Sequence, residues 1–462
     1  MSGPRTAVLV LLVVLLAGGA AAGGYFETRA LRNHDGPAPT AVNTTPAALR
    51  DATRPPTSPG SPSPGPAARA AAVRAELGSS VTDDRLGGRL LAQVVDVTTG
   101  TVLYSRNGSL TASPASTAKV LTAAAALAVY PATHRFTTSV VAGPTGTLVL
   151  VGGGDPTLTA APNGRAGAYP DAARISELAA QLKRRHVTVQ RIVVDGSLFA
   201  GPSVSPFWVP ADVPSSYGAP ITAAMIDGGR DAPGDAVRSS DPDLAAGRAL
   251  AAELGAPGVP VVRGTAAKSA AILASVRSAP LSELIEQMLQ ASDNVIAEDL
   301  ARMVAVAGDR PASFIGGAQA IRAALRKLGV DVGGGMRDGS GLAASDRLSP
   351  AALAAVLRLV AEPTRPALHT VLAGMPVAAW SGTLADRFLK GTPSAGGAGA
   401  VRAKTGTITA VSSLAGVVHD RSGRLLAFAL IADHVAPSQA ATEDAEAALD
   451  TIATRLAACG CA

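Results

Sequence analysis

The sequence contains few cysteines and few aromatic residues, and each scarcity excludes a class of structure. Among its 462 residues there are two cysteines, Cys459 and Cys461, and aromatic residues make up 3%. A chain so poor in cysteine does not depend on a disulfide framework, and its core must come from alanine, valine and leucine. Because one residue separates the cysteines, we expect no unstrained disulfide between them and interpret them as an exposed tail. We find no second ligand pair at metal-site spacing.

Charged residues are sparse as well, and they are not concentrated in one region. They make up 16% of the chain and leave a net charge of +5. Arginine is scattered and no basic block is present, so the composition does not indicate nucleic-acid binding.

The N-terminal part of the chain indicates export. Arg5 precedes an uncharged run at 6–26, "TAVLVLLVVLLAGGAAAGGYF". This run has the pattern of a signal peptide, and it is also close to the roughly 20 residues that span a bilayer. We therefore predict a signal peptide or an N-terminal membrane anchor at 1–26. The Pro-, Thr- and Ser-rich stretch at 27–69 predicts a disordered linker.

From about residue 70 onward, strand patterns alternate with helical patterns. Period-two patterns and turn residues predict strands within 91–109, 135–159 and 400–434. An uninterrupted alanine- and leucine-rich pattern predicts a helix over 117–130. Helical patterns also predict helices over 282–307, with one polar interruption, over 350–362 and over about 441–457.

The order of these elements predicts an α/β fold formed by the two ends of the ordered chain. We predict one domain from residues 70–136 together with 271–458, and a mostly β inserted domain at 137–270.

The first motif with chemical meaning is Ser116-Thr117-Ala118-Lys119 at the start of a predicted helix. A serine hydroxyl is a poor nucleophile at neutral pH and needs a base within hydrogen-bond reach. Residues three apart in a helix share a face, so Lys119 can reach Ser116. Partial burial and a neighbouring cation such as Lys404 would lower the pKa of Lys119 and make it a base.

The second motif, Ser292-Asp293-Asn294, lies at the polar interruption of a helical region. In a short turn, the side chains of Ser292 and Asn294 can point the same way. The hydroxyl can pass a proton between Lys119 and a leaving amine, and the amide can orient a substrate peptide group.

The third motif, Lys404-Thr405-Gly406, followed by Thr407, lies on a predicted strand. Lys404 and Gly406 share one face, and the two threonines share the other. A glycine there allows a substrate to approach the backbone, and a strand edge can bind an extended peptide.

In this order and context, the three motifs resemble those of penicillin-binding proteins and class A β-lactamases. The interval between Ser116 and Ser292 is too long for a compact class A β-lactamase. Further segments are similar to those of D-alanyl-D-alanine carboxypeptidases/endopeptidases of the DacB type, the class C low-molecular-weight penicillin-binding proteins of peptidase family S13. They are "VGGGDPTL" at 151–158, "SDNVIAEDLAR" at 292–302, "DGSGLAASDRLSP" at 338–350 and "WSGTLADRF" at 380–388.

This resemblance implies a penicillin-binding-protein/β-lactamase-like transpeptidase domain, with an antiparallel sheet flanked by helices. It implies a serine-type D-Ala-D-Ala carboxypeptidase that removes the terminal D-alanine of peptidoglycan stem peptides and binds β-lactam antibiotics covalently. No metal or cofactor is implied, and the protein would act outside the cytoplasmic membrane, in the cell wall or anchored to the membrane's outer face.

The resemblance also implies a role for each motif residue. Ser116 would be the acylated nucleophile, Lys119 its base and Ser292 a proton relay. The substrate would be bound by Asn294, Lys404, Thr405, Gly406 and Thr407, with the terminal carboxylate on the two threonines. The backbone N–H groups of Ser116 and Thr407 would form the oxyanion hole.

Several alternatives stay open at this point. The carboxypeptidase could also act as a D,D-endopeptidase, the protein could be a β-lactamase, or it could be a non-catalytic cell-wall-binding protein of the same fold. We interpret Asp155 as a turn residue and Glu298 as a packing or helix-charge residue. Asp338 and Ser340 either line the site or brace a loop, and we favour bracing.

Overall fold

Two five-stranded sheets organise residues 70–461, the part of the chain that the computed structural model describes. The strands are β1 (Leu90–Asp96), β2 (Val102–Arg106), β3 (Thr137–Ala142), β4 (Thr147–Val151), β5 (Arg191–Asp195), β6 (Val261–Arg263), β7 (Ile272–Arg277), β8 (Val401–Ile408), β9 (Val411–His419) and β10 (Leu425–Ala432). The predicted signal peptide or anchor at 1–26 and the predicted linker at 27–69 lie outside the described residues.

The helices lie singly before, between and after groups of strands, except for five that follow one another between β7 and β8. They are α1 (Ala70–Leu77), α2 (Lys119–Val129), α3 (Ile175–Arg184), α4 (Pro242–Glu253), α5 (Leu281–Gln290), α6 (Asn294–Ala307), α7 (Phe314–Lys327), α8 (Pro350–Ala361), α9 (His369–Gly374) and α10 (Gln439–Ala458). Within residues 70–461, none of the helices combines the length and the hydrophobicity that crossing a bilayer requires.

The first sheet joins the two ends of the described chain. Its order is β2-β1-β10-β9-β8, and every neighbouring pair is antiparallel. Successive side chains of β1 point to opposite faces, so Leu91 and Val95 pack on one helical layer while Ala92 and Val94 pack on the other. Helices α2, α5, α6 and α8 form the first layer, and α1 and α10 form the second. The predicted antiparallel sheet flanked by helices is confirmed.

The second sheet has the order β6-β5-β4-β3-β7 and is mixed. β3 is antiparallel to β4 and β7, whereas β4, β5 and β6 run parallel to one another. Parallel neighbours need crossover connections, and α3 and α4 lie in those connections and cover the sheet. Because β7 begins at Ile272, this sheet continues past the boundary that the sequence predicts at residue 270.

The C-terminal cysteines are not the exposed tail that the sequence suggests. Cys459 and Cys461 are buried in the core beneath α10 and are paired in a disulfide. The packing of α10 on the first sheet carries the end of the chain into this layer. Residues two apart in extended backbone point the same way, and the two Cα atoms lie 5.1 Å apart, within disulfide range. The expectation of an exposed tail was therefore wrong.

Candidate active site

The first predicted motif lies where a short turn becomes a helix. A 3-10 turn at Ala115–Ala118 runs directly into α2, which begins at Lys119. Ala115 has a φ of 46°, in the left-handed region that is uncommon for a residue with a side chain. Ser116 follows it and is partly exposed. Nζ of Lys119 lies 2.9 Å from Oγ of Ser116, so the two residues that the sequence pairs do meet.

Lys119 is fully buried, and its ammonium group has two further acceptors. Nζ donates to Oδ1 of Asn294 at 2.6 Å and to the carbonyl oxygen of Ser340 at 2.8 Å. These acceptors belong to two other segments of the chain. Together with Ser116 they determine where the amine of Lys119 points.

The charge of Lys119 depends on burial and on nearby carboxylates. Desolvation is the largest effect and lowers the pKa of Lys119 to about 8. The negative charges of Asp338, Glu298 and Asp293 oppose this effect and raise the pKa of Lys119. A substantial fraction of the amine is therefore neutral near physiological pH, and the neutral form is the one that can act as a base for Ser116.

The second motif occupies the break between α5 and α6. Asp293 caps α6, and its carboxylate accepts hydrogen bonds from the N–H groups of Val295 and Ile296. Ser292 is half-buried and has a φ of 57°, and Asn294 is the first residue of the helix. Asn294 accepts a hydrogen bond from the buried Lys119 through its Oδ1, and the relay role of Ser292 stays a prediction.

Lys404 of the third motif is also fully buried. Its Nζ donates to the carbonyl oxygen of Thr405 at 2.8 Å. Burial, then the proximity of Lys119 and of Arg387, lowers the pKa of Lys404 well below its ordinary value. Lys119 thus lowers the pKa of Lys404, whereas the pKa of Lys119 itself is lowered by burial and not, as the sequence suggested, by Lys404.

The hydroxyl groups of the two motif threonines are held by two other elements. Oγ1 of Thr405 lies 2.7 Å from Oγ1 of Thr383, in the turn Gly382–Leu384. Oγ1 of Thr407 donates to Oε1 of Glu446 at 2.9 Å, and Glu446 belongs to α10. The sequence alone predicts neither partner.

Gly406 brings the backbone of β8 against the turn that carries Ser116. A Cβ atom added at Gly406 would lie 2.9 Å from the backbone nitrogen of Ser116 and 2.8 Å from the carbonyl oxygen of Pro114. Ser413 of β9 donates to the same carbonyl at 2.7 Å. The structure thus adds a second reason for glycine here, beside the predicted approach of a substrate.

A buried loop at 338–341 completes the surroundings of Lys119. Glu298 of α6 accepts hydrogen bonds from the N–H groups of Gly339 at 3.0 Å and Ser340 at 2.7 Å. Burial, reinforced by the charge of Asp338, raises the pKa of Glu298 to about 8. Asp338 accepts N–H groups of its own loop, which confirms its bracing role. Glu298 is therefore more than a packing or helix-charge residue, because it holds the loop whose carbonyl oxygen accepts a hydrogen bond from Lys119.

The irregular segment between β5 and α4 contributes two contacts to this site. Nε1 of Trp208 donates to Oδ2 of Asp338 at 2.8 Å. Nδ2 of Asn294 donates to the carbonyl oxygen of Tyr217 at 3.0 Å. Neither residue lies in a recognisable motif. For Trp208, the available signal in the sequence was the rarity of tryptophan, since the chain contains two tryptophans.

The same part of the chain anchors the middle residue of the second motif. Nη2 of Arg238 lies 3.0 Å from Oδ2 of Asp293, and the hydroxyl of Tyr169 donates to that oxygen at 2.7 Å. Burial opposes ionisation of Asp293, but Arg238 and Arg230 hold its pKa well below its usual range. The helix cap that positions Asn294 is thus an ion pair with the inserted part of the chain.

Asp155 is a turn residue, as the sequence predicts. Its Oδ1 accepts hydrogen bonds from the N–H group of Thr157 at 2.9 Å and from its hydroxyl at 2.6 Å. Within the described residues, no group of three or more His, Cys, Asp or Glu side chains is arranged to hold a metal ion.

A buried lysine beside a helix-start serine, an asparagine and a Lys-Thr-Gly edge strand is an arrangement for acyl transfer. A sequence model described as the D-Ala-D-Ala carboxypeptidase 3 (S13) family matches residues 73–236 and 231–456. The chain belongs to this family. It is a serine-type D-Ala-D-Ala carboxypeptidase, and the predicted family and enzyme class are confirmed.

Similar proteins of the family include actinobacterial carboxypeptidases. The chain is 45% identical to a carboxypeptidase of Mycobacterium tuberculosis over 398 residues, which is 85% of each chain. It is 42% identical to the carboxypeptidase DacB of Mycolicibacterium smegmatis over 380 residues, 81% of each chain. It is 30% identical to a D-alanyl-D-alanine carboxypeptidase of Actinomadura, in a match that covers 84% of this chain and 85% of that one.

A solved structure shares the fold of this S13 chain. Penicillin-binding protein 4 of Haemophilus influenzae superposes with a TM-score of 0.65 at 24% identity. The match covers 82% of this chain and 98% of that one. The predicted fold class is therefore confirmed by comparison as well as by the sheet order.

Proposed function

We propose that Ser116 is the nucleophile of this carboxypeptidase and that Lys119 is its base. The observation that carries the proposal is the 2.9 Å contact between Oγ of Ser116 and Nζ of Lys119, combined with a lysine pKa of about 8. A serine needs such a base, and a lysine can serve only when its neutral form is accessible.

The reaction releases the terminal D-alanine of a peptidoglycan stem peptide in two stages. Neutral Lys119 takes the hydroxyl proton of Ser116 as Oγ attacks the carbonyl carbon between the two D-alanines. The C–N bond then breaks, and the departing amine receives a proton through Ser292. Water attacks the resulting ester, and Ser116 regains its proton. Asn294 holds the substrate's peptide group during both stages.

Negative charge that develops on the substrate carbonyl needs donors at the right place. The backbone N–H groups of Ser116 and Thr407 are the proposed oxyanion hole, and each such donor is typically worth about 3–4 kcal/mol. The close packing at Gly406 supports this assignment, because it brings the β8 backbone to the serine turn. Lys404 supplies positive potential, and the hydroxyls of Thr405 and Thr407 are proposed to bind the substrate's terminal carboxylate.

The same attack on a β-lactam ring leaves a covalent adduct on Ser116, because the departing nitrogen stays tethered to the acyl group. A D,D-endopeptidase activity would use the same machinery on a cross-linked peptide. A β-lactamase would clear the adduct rapidly, and a non-catalytic wall-binding protein would form none. The structure of the Haemophilus influenzae protein has also been solved in complex with a β-lactam.

We further propose that the enzyme acts outside the cytoplasmic membrane, since its proposed substrate is in the cell wall. Residues 1–26 would direct export or act as an anchor, and 27–69 would be a spacer. Residues 70–136 with 271–458 would form the peptidase domain and 137–270 the inserted domain, except that β7 (Ile272–Arg277) belongs to the second sheet and so to the inserted part.

The test is covalent labelling of residues 70–462 with a fluorescent penicillin, followed by intact mass and peptide mapping. We expect a stable adduct on Ser116, none in Ser116→Ala, and release of D-alanine from an acyl-D-Ala-D-Ala peptide. A folded wild-type protein with neither an adduct nor D-alanine release would refute the assignment. Rapid turnover of penicillin would favour the β-lactamase.

A further inference from the structure

Trp380 is the most exposed large apolar side chain among residues 70–461, at 68%. The chain's other tryptophan, Trp208, is buried. Tryptophan is highly buried on average, and exposed tryptophans are enriched at interfaces, where the ring supplies a large apolar contact area. The exposed indole therefore indicates a surface that a ligand covers.

The turn that carries Trp380 contacts the elements of two catalytic motifs. Oγ1 of Thr383 in this turn lies 2.7 Å from Oγ1 of Thr405 in the third motif. A Cβ atom added at Gly382 would overlap the side-chain oxygen of Gln290, the last residue of α5, which lies two positions before the second motif. Trp380 therefore lies at the rim of the site, on the side of the hydroxyls proposed to bind the terminal carboxylate.

Hydrogen bonds within the turn hold its backbone in place. Ala379 has a φ of 58°, in the left-handed region, and its N–H group donates to the carbonyl oxygen of Leu384 at 3.0 Å. Oγ of Ser381 accepts from the N–H group of Val377 at 3.2 Å, and Val377 pairs with Arg402 at the start of β8. Because the backbone is fixed before a substrate arrives, little conformational entropy is lost when the indole is covered.

We propose that Trp380 is a specificity-determining residue that contacts the side chain of the residue after the scissile bond. The substrate's terminal carboxylate stays on Thr405 and Thr407, and a side chain longer than the methyl group of D-alanine covers the indole. A cross-linked stem peptide presents such a longer side chain, so Trp380 would support a D,D-endopeptidase reaction beside the release of D-alanine. This inference rests on the proposed role of the two threonines.

The size of the contribution follows from the apolar surface that the contact removes from water. The methyl group of D-alanine extends one bond from its Cα atom, whereas a linear four-carbon side chain adds three carbon atoms that can lie against the ring. Burying one to two methylene groups corresponds to roughly four- to fifteenfold in affinity. The contact is lost when the indole is removed, whatever the side chain of the substrate.

The test compares two free-acid peptides that differ only in the leaving residue, Nα-acetyl-L-Lys-D-Ala-D-Ala and Nα-acetyl-L-Lys-D-Ala-D-norleucine. Norleucine has an unbranched, uncharged four-carbon side chain, so it isolates the apolar contact. The measured quantity is the ratio of kcat/KM for the norleucine peptide to kcat/KM for the alanine peptide. It is measured in wild type, Trp380→Ala, Trp380→Phe and the control Ile272→Ala, which removes another exposed apolar side chain from β7 of the second sheet.

We expect the ratio to fall roughly four- to fifteenfold in Trp380→Ala, to fall less in Trp380→Phe and to stay within about twofold in Ile272→Ala. A ratio in Trp380→Ala within about twofold of wild type would overturn the inference, because a merely structural role changes both substrates alike. A wild type that releases D-alanine but no D-norleucine would also overturn it. A wild type that is not labelled by penicillin and cleaves neither peptide would refute the proposed function itself, and with it the inference.

Fluorescence provides a second measurement that keeps the native side chain and decides the question even if Trp380→Ala does not fold. Trp208 is 6% exposed, so collisional quenching by acrylamide reports mainly on Trp380. In Ser116→Ala, we expect the norleucine peptide to reduce quenching, and the alanine peptide to reduce it less, at concentrations that slow penicillin labelling of the wild type. Equal quenching with and without the norleucine peptide would contradict the contact.

Discussion

At the scale of single residues, Lys119 has the environment that a lysine base requires. Its burial lowers the pKa, and three acceptors from separate segments prevent the amine from turning away from Ser116. A lysine with a neutral form near physiological pH removes the need for a histidine in this site.

The pH dependence of acylation follows from the pKa of Lys119. Its protonated form predominates below about pH 8 and cannot accept a proton. We therefore expect the rate constant for penicillin acylation to rise with pH, by up to about tenfold per unit, and to level off above about pH 8. Fluorescent penicillin labelling between pH 6 and 9.5 measures this. Lys119→Arg should lose acylation at every pH, and a flat wild-type profile would contradict the assignment.

Gly406 gives a second prediction at this scale. The Cβ of Gly406→Ala would lie 2.9 Å from the backbone nitrogen of Ser116, so the turn or the strand must shift. We expect acylation to slow roughly tenfold or more, because small displacements of reacting groups are costly. Gly258→Ala adds the same methyl group where no atom lies within 4 Å, and it should acylate at the wild-type rate. Equal rates in the two variants would refute this explanation.

At the scale of secondary-structure elements, the site depends on helix ends and on one long helix. At the break before α6, the cap residue Asp293 forms a buried ion pair with Arg238 of the inserted part of the chain. Helix α10 supplies Glu446, which accepts a hydrogen bond from the hydroxyl of Thr407, and Asp450, which pairs with Arg387, and the disulfide follows its last residue. Elements far from Ser116 in sequence therefore position the groups around it.

The ion pair at the α6 cap can be tested by mutation. Arg238→Ala would leave the buried carboxylate of Asp293 without its guanidinium, and we expect a loss of about 3–5 kcal/mol in the free energy of unfolding. Arg248→Ala is the matched control, because its contact with Asp231 is 4.0 Å long and exposed. That variant should lose no more than about 1 kcal/mol. Urea unfolding of both variants measures the two losses in the free energy of unfolding. Losses of similar size would contradict the prediction that the buried ion pair contributes more than the exposed one.

At the scale of the whole molecule, the first sheet brings both ends of the described chain together between two helical layers. The irregular segment between β5 and α4 contacts the site through Trp208, which donates to Asp338, and through Tyr217, whose carbonyl accepts from Asn294. Stability and catalysis are linked in such an arrangement, because buried polar groups near the site are also core contacts of the fold.

The stability of the whole molecule should depend on pH through Glu298. Burial raises its pKa from 4.5 to about 8, so between these values the folded protein keeps a proton that the unfolded chain releases. The free energy of unfolding contributed by Glu298 is therefore present below about pH 4.5 and decreases as pH rises to about 8. Glu298→Gln removes this titration, so the decline between pH 5 and 8 should be smaller by on the order of 1–3 kcal/mol. Urea unfolding at several pH values measures it, and parallel curves for both proteins would contradict the prediction.

Local sequence patterns determined the elements and the three motifs. The helix over 117–130 was observed at Lys119–Val129, and the polar interruption in 282–307 is the break that holds Ser292. The region 400–434 contains three strands, as predicted. These features depend on hydrophobic periodicity, helix propensity and turn residues, all of which act between near neighbours in the chain.

The tertiary structure alone decided which distant residues surround the motifs. Glu298 follows Asn294 by one helical turn, yet its contact with the loop at 338–341 depends on how α6 packs. Glu446 meets Thr407 only because α10 lies on the first sheet, and the same packing buries Cys459. Sequence by itself determined the family, and it predicted Ser116 as the nucleophile and Lys119 as its base. Burial, pKa values and the partners of each motif residue required the packed fold, because desolvation and hydrogen bonding depend on what lies nearby in space.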